Sequence, residues 1–241
     1  MKVGVLLSGC GVEDGSEIYE AVLTILALER GGASVQALAP DVEQANVVNH
    51  YTGAESRQET RSALAESARI VRGKISSINE VSAHDLDALV IPGGYGVVKN
   101  LCSYASDGVN ARVNPEVERV IQEIHGLGKP IGAMCVGPLL VALSLRNVPK
   151  PNGPLTMTIG DNGSSALDLI ALGVSHAVTG VDQIYVDNNN KIVSTAAFLL
   201  AHSVSEAEAG ITKLANQVLQ MAGELGPGHV GETMTSTVTS A

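Results

Sequence analysis

Cys135 sits in Ala133-Met-Cys-Val-Gly137, directly after an apolar, strand-like stretch and directly before an expected helix. Small residues two before and two after a nucleophile suit a sharp strand-to-helix turn. Such a turn lifts the side chain off the sheet edge and aims it at a pocket. A thiol there lies near the positive end of the following helix, which favours thiolate, the reactive form. The competing reading is a small buried hydrophobe, which most cysteines are. A nucleophile also needs a proton partner. Glu20 lies early in the first expected helix and immediately before the apolar run Ala21-Val-Leu-Thr-Ile-Leu-Ala-Leu28. Partial desolvation there raises a carboxyl pKa and lets it share a proton with the sulfur. Its competing role is a solvent-facing charge at a helix N-terminus, for which Glu17 is the better candidate.

Gly93 and Gly94 follow the strand Leu89-Val-Ile91, and with the backbone N–H of Val136 they are candidates for an anion hole around a carbonyl held at Cys135. A tight turn after a strand explains the glycine pair equally well. Cys10 lies in the first loop, on the same expected edge as Cys135. It either lines the pocket, serves as a resolving thiol, or fills a glycine turn as a small buried residue. Asn100, just after the glycine loop, either points into the site or caps the following turn. The six histidines include no pair three or four residues apart, so no metal site is expected. Ser8-Gly-Cys-Gly-Val-Glu13 does not complete a dinucleotide fingerprint, and its acidic end repels a pyrophosphate. No cofactor is expected.

These residues need a scaffold that brings three loops together. Val3 to Leu7 reads as a first buried strand. Ser16 is a plausible cap for a helix to about Arg30, apolar almost all round and so buried on more than one side. Ser34 to Ala39 is a second strand. Residues 41–86 form a long insertion with one helix over about Thr60 to Val71, of a length often found in lids and site walls. Asn114-Pro115 starts a helix with an apolar stripe of Val117, Val120, Ile121 and Ile124. Thr156 to Ile159 is a strand, and Gln183 to Val186 with Lys191 to Thr195 is a hairpin. Ser205-Glu-Ala-Glu208 reads as a capping box opening a last helix to about Ala222. Alternating strands and helices imply an α/β fold, a mainly parallel sheet with helices on both faces. Ligands of such sheets collect at the carboxyl ends of the strands. Residues 1–222 are expected to form one domain, with 223–241 a flexible C-terminal extension and a weak strand signal through Met234 and Val238.

The chain has 241 residues, 45% of them hydrophobic, and a net charge of −10. Without a basic stripe, nucleic acid is excluded as an expected partner. Five tyrosines and one phenylalanine argue against base-stacking platforms and against an aromatic-lined cofactor slot. Three cysteines are too few for a disulfide framework. With no signal-peptide pattern in the first residues and no membrane-spanning run, a soluble, cytoplasmic protein is expected. A homodimer is the ordinary expectation for oligomeric state.

Taken together, Gly15-Ser-Glu-Ile-Tyr-Glu-Ala-Val22, Ile91-Pro-Gly-Gly-Tyr-Gly96 and Gly132-Ala-Met-Cys135 resemble the PfpI/deglycase superfamily, which is related to class I glutamine amidotransferases. Ser8-Gly-Cys-Gly11, Ala68-Arg-Ile-Val-Arg-Gly73 and Val181-Asp-Gln-Ile-Tyr-Val-Asp187 are similar to its ElbB-type glyoxalase branch. The resemblance implies a flavodoxin-like three-layer sandwich, with Cys135 as nucleophile and Glu20 beside it. It also implies cofactor-independent conversion of small alpha-oxoaldehydes to hydroxy acids. Many superfamily members carry a histidine after the cysteine or one strand later. Here Val136 follows, which weakens the protease and C–N hydrolase readings. A thiol redox sensor, a deglycase-type protective protein and a non-catalytic binding module are the remaining alternatives.

Overall fold

Val3 to Leu7 contains no polar side chain, and it builds the central strand β1 (Lys2–Leu6), wholly buried after its first residue. A parallel strand covered by helices on both faces must be apolar at every position, not at alternate ones. The computed structural model describes residues 1–225. After β1 come α1 (Ile18–Arg30), β2 (Ser34–Ala39), β3 (Val47–Asn49), β4 (Ala54–Ser56), α2 (Ala63–Ile70), β5 (Ile75–Ser77) and β6 (Ala88–Ile91). The short helices α3 (Gly96–Lys99) and α4 (Tyr104–Asp107) precede α5 (Pro115–Gly126), β7 (Ile131–Met134) and α6 (Gly137–Leu145). The chain continues through β8 (Thr156–Gly160), α7 (Ser164–Ala171), β9 (Ser175–Val178), β10 (Ile184–Asp187), β11 (Ile192–Thr195) and α8 (Val204–Glu224).

Seven strands form the main sheet in the order β10-β11-β7-β6-β1-β2-β5. Every pairing is parallel except β10 with β11. From β1 the chain winds outward to β2 and β5, then returns to β6 on the other side of β1. That reversal opens a crevice above the carboxyl ends of β1 and β6, the place where ligands bind in open α/β sheets. The loops after β1, β6 and β7 all reach it. The flavodoxin-like three-layer α/β sandwich read from the sequence is the fold observed.

Several local expectations shift. The strand at 156–159 forms as β8 but pairs with β9 in a separate two-stranded sheet. The neighbour of β7 in the main sheet is β11 instead. Ser16 does not cap α1: its hydroxyl accepts the Ser8 N–H at 2.8 Å, and Glu17 becomes the cap. The last helix is capped by Ser203, not Ser205, with Glu206 reaching back to the His202 N–H at 2.8 Å. That helix also runs to Glu224, through the start of the expected extension, whose strand signal at Met234 and Val238 lies outside the described residues. Nor is α1 buried all round. It packs against α8 and the sheet, yet Ile18, Tyr19, Val22 and Leu26 stay 37–52% exposed along one flank. The helix with every residue buried is α6, directly after Cys135.

Candidate active site

Two requirements meet at residue 135: the strand β7 must end on the sheet's upper edge, and α6 must start at once behind it. The turn between them forces Cys135 to a φ of +56°, the left-handed region that favours glycine. A side chain held there costs about 1–3 kcal/mol and persists only where its surroundings enforce it. Its N–H is held by the Thr195 carbonyl at 3.1 Å, and the fully buried α6 anchors the other side. The result is the strained elbow that the flanking small residues suggested.

Glu20 stands in the first turn of α1 and is completely buried. Both carboxyl oxygens are fixed by backbone donors. The Gly93 N–H donates to Oε2 at 2.7 Å, and the Phe198 N–H donates to Oε1 at 3.1 Å. The carboxyl also stands next to the Cys135 thiol: Oε2 and the sulfur flank the same face of Gly93, and each acts on the other's proton affinity. Burial raises the Glu20 pKa to about 7, and the charge of Glu17 adds to the rise. The Phe198 and Gly93 N–H groups and the thiol pull the other way without cancelling it.

The sulfur differs from the sequence-based expectation. Burial, then the Glu20 charge, pushes the Cys135 thiol well above its ordinary value of 9.0. The Gly94 and Val136 N–H groups face the sulfur and draw it down, but desolvation wins. A helix end is worth roughly 0.3–1 kcal/mol to a charge; removing a thiolate from water costs more. The resting pair is therefore a thiol beside a carboxyl poised to take its proton.

Gly93 allows the pair to meet. A Cβ at this position would collide with the Cys135 Cβ, and would lie 2.7 Å from Glu20 Oε2 and 2.8 Å from Cys135 Sγ. Only glycine fits between the two reacting side chains. Its N–H is occupied by Glu20, so the donors left for an anion at Cys135 are those of Gly94 and Val136. Gly94 takes a φ of +97° in the same turn, where a Cβ would overlap the Glu17 backbone.

An opening of about 170 Å³ leads to the sulfur. Val12, Tyr95, Phe198 and Leu199 form apolar walls, and Glu17 and Ser165 are its polar margin. Although the chain holds few aromatic residues, Tyr95 and Phe198 both stand here, with the Tyr19 ring tilted against Phe198 at 6.0 Å between centroids. No histidine lines the opening among the described residues. His176 accepts from the Ile159 N–H at 3.3 Å, and His50 from the Glu13 N–H at 3.2 Å. Among the described residues no cluster of three metal-ligating side chains is found.

Two sequence candidates are placed elsewhere. Asn100 is a brace: its amide donates to the Ser8 and Asp14 carbonyls, both at 2.8 Å, and its oxygen accepts the Ala45 N–H at 2.8 Å. Cys10 does not line the opening. Its charged neighbours are Glu66, Arg69 and Asp14, and burial raises its thiol pKa. The sequence reading missed Phe198, whose contribution is a backbone N–H delivered by the turn after β11. Backbone donors carry no side-chain signal, so no residue type marked it.

Residues 5–148, which contain Glu20, Gly93, Gly94 and Cys135, match the DJ-1/PfpI family. The ES1 protein homolog, mitochondrial, of Rattus norvegicus is 43% identical over 225 residues, covering 92% of this chain and 85% of its own. The glutamine amidotransferase-like class 1 domain-containing protein 3, mitochondrial, of Homo sapiens is 44% identical, covering 92% of this chain and 84% of its own. A crystal structure of an isoprenoid biosynthesis protein with an amidotransferase-like domain from Ehrlichia chaffeensis superposes with a TM-score of 0.84 at 33% identity, covering 92% of this chain and 99% of its own. The expectation of a cytoplasmic location does not stand beside relatives named as mitochondrial. It rested on few cysteines, no secretory pattern and no membrane-spanning run, which do not separate one reducing compartment from another. The family match spans the strands, loops and paired side chains of the crevice, and the chain belongs to the DJ-1/PfpI family.

Proposed function

We propose that the protein is a cofactor-independent glyoxalase of the ElbB type, acting on glyoxal-type alpha-oxoaldehydes. The observation that carries this reading is the adjacent Glu20–Cys135 pair at the base of a small opening, with the carboxyl pKa raised to about 7. A proton acceptor near neutrality is suited to general acid–base work at cellular pH.

The sulfur attacks one aldehyde carbon of glyoxal as Glu20 takes the thiol proton. The developing oxyanion is held by the Gly94 and Val136 N–H groups, then receives that proton to give a thiohemiacetal. Glu20 next removes the hydrogen of the carbon bonded to sulfur and returns a proton to the neighbouring carbon, through an enediol. The product is a thioester of glycolate. Water cleaves it, releasing glycolate and restoring the thiol. The sum is glyoxal plus water to glycolate, an internal redistribution of electrons with no external oxidant or reductant.

The volume of the opening suits a substrate of a few heavy atoms, and its apolar walls help exclude bulk water. A redox sensor draws less support, because sensor cysteines depend on thiolate character and this thiol is held protonated. The same proposal includes a homodimer, with the exposed α1 flank of Ile18, Tyr19, Val22 and Leu26 as the surface available to a second copy. It also includes a mitochondrial setting, which the relatives' names support.

The deciding experiment measures glycolate formation from glyoxal by the wild type, Cys135→Ala and Glu20→Gln. Cys135→Ala is expected to lose all measurable turnover, and Glu20→Gln about 10²–10⁴-fold in kcat. Turnover retained in Cys135→Ala removes the proposal.

A further inference from the structure

The opening has a charge character that the reaction itself does not use. Its walls are apolar, and among the described residues no lysine, arginine or histidine lines it. The nearby Lys99 is tied down elsewhere: its ammonium donates to the Glu13 carbonyl at 2.7 Å and lies 5.5 Å from the centre of the Tyr95 ring. An acidic residue does line the opening. Glu17 is only 9% exposed, yet it reaches the same space as Cys135. It is held rigidly at both ends. Its N–H donates to the Gly93 carbonyl at 2.9 Å, and its Oε2 accepts the Glu20 N–H at 2.7 Å. A helix cap needs no charge, since a neutral side-chain oxygen accepts the same hydrogen bond. The cap hydrogen bond therefore does not require an acid at this place; the helix dipole favours one, and the charge then faces the opening as well.

We propose that Glu17 is a specificity-determining residue of this site, a fixed negative charge that turns away anionic substrates and admits short neutral carbonyl compounds. Carboxylate-bearing aldehydes and phosphorylated sugars meet Glu17 with no cation to offset it. Uncharged dialdehydes and ketoaldehydes meet apolar walls. At a partly dehydrated site two like charges a few ångströms apart repel far more strongly than in water. The choice of substrates rests on the glyoxalase reading above. The charge filter is a property of the opening and can be read without turnover.

The test is alkylation of Cys135 in the full-length protein at pH 8, with iodoacetamide as neutral probe and iodoacetate as anionic probe. Rates at Cys135 are followed by peptide mass spectrometry, which separates it from Cys10 and Cys102. The quantity read is the ratio of the two rates, relative to the same ratio for free N-acetylcysteine. The wild type is expected to favour the neutral probe by about tenfold or more over the free thiol. Glu17→Gln, which keeps an oxygen for the cap, is expected to move the ratio at least about threefold toward the free-thiol value; the remainder belongs to Glu20, which is also ionised at pH 8. Glu17→Asp, which keeps the charge, is expected to preserve the preference. An unchanged ratio in Glu17→Gln, or a lost one in Glu17→Asp, overturns the proposal. Parallel assays with glyoxal and glyoxylate separate the two claims. Absence of glyoxal turnover counts against the glyoxalase reading alone, while the alkylation ratio still decides the role of Glu17.

Discussion

Cys10 and Cys135 occupy similar addresses and have different chemistry. Both follow parallel strands that flank β6, and both lie in loops rich in small residues. Around Cys10 the left-handed backbone is taken by its neighbours, Gly9 at φ +117° and Gly11 at φ +128°. At the other site Cys135 itself takes it, at +56°. The first arrangement leaves the sulfur half-buried near Glu66 and Arg69. The second drives the sulfur against Glu20, under two N–H donors, at the base of an opening. Glycine beside a cysteine relaxes the turn. Strain on the cysteine, sustained by a buried helix behind it, is what presents the thiol.

The contrast can be broken most severely at Gly93. Gly93→Ala places a methyl group between Glu20 and Cys135, and one of the two must move. Turnover of glyoxal is expected to fall at least about a hundredfold, the scale set by ångström-sized misplacement of reacting groups. The fold is expected to lose about 1–3 kcal/mol from overpacking, read from the urea midpoint. A substitution with no effect on either measurement would mean that the two side chains do not meet there.

Glu20 sharpens the contrast through pH. Its carboxyl pKa is raised from 4.5 to about 7, so the folded state holds a proton that the unfolded chain releases earlier. The corresponding stability is fully present below pH 4.5 and is lost as pH rises through about 7. Glu20→Gln has no such loss. Between pH 5 and pH 8 the stability of the variant is expected to gain on the wild type by up to about 3 kcal/mol, from unfolding curves at each pH. Equal pH slopes for the two proteins would show that Glu20 does not sit in a buried setting that raises its pKa. The smallest effect belongs to Cys10→Ser, which is expected to change glyoxal turnover by less than about twofold and stability by under about 1 kcal/mol. A larger fall in turnover would put Cys10 back in the site.

Much of the scaffold was legible because it rests on local patterns. The apolar runs at Val3–Leu7 and Leu89–Ile91, the Asn114-Pro115 helix start and the small residues around Cys135 each act over a few positions. The Glu20 burial was legible for the same reason, since the acid immediately precedes an apolar helical run. Features that depend on which elements become neighbours were not. Asn100 was equally compatible with a site or a brace until Ser8, Asp14 and Ala45 were seen around it. Glu17 looked like a simple helix-end charge until the residue was found lining the same opening as Cys135.

What the amino-acid order decided alone was the alternation of strands and helices, and the residue that must turn sharply between β7 and α6, because hydrophobic periodicity and backbone sterics operate within a few residues. Proton affinity was decided only by the tertiary structure. The helix-end argument made Cys135 a thiolate, whereas dehydration and the approach of Glu20 across the crevice keep it a thiol. Electrostatic free energy depends on distance and on the surrounding medium, and neither exists until the chain has closed around the pair.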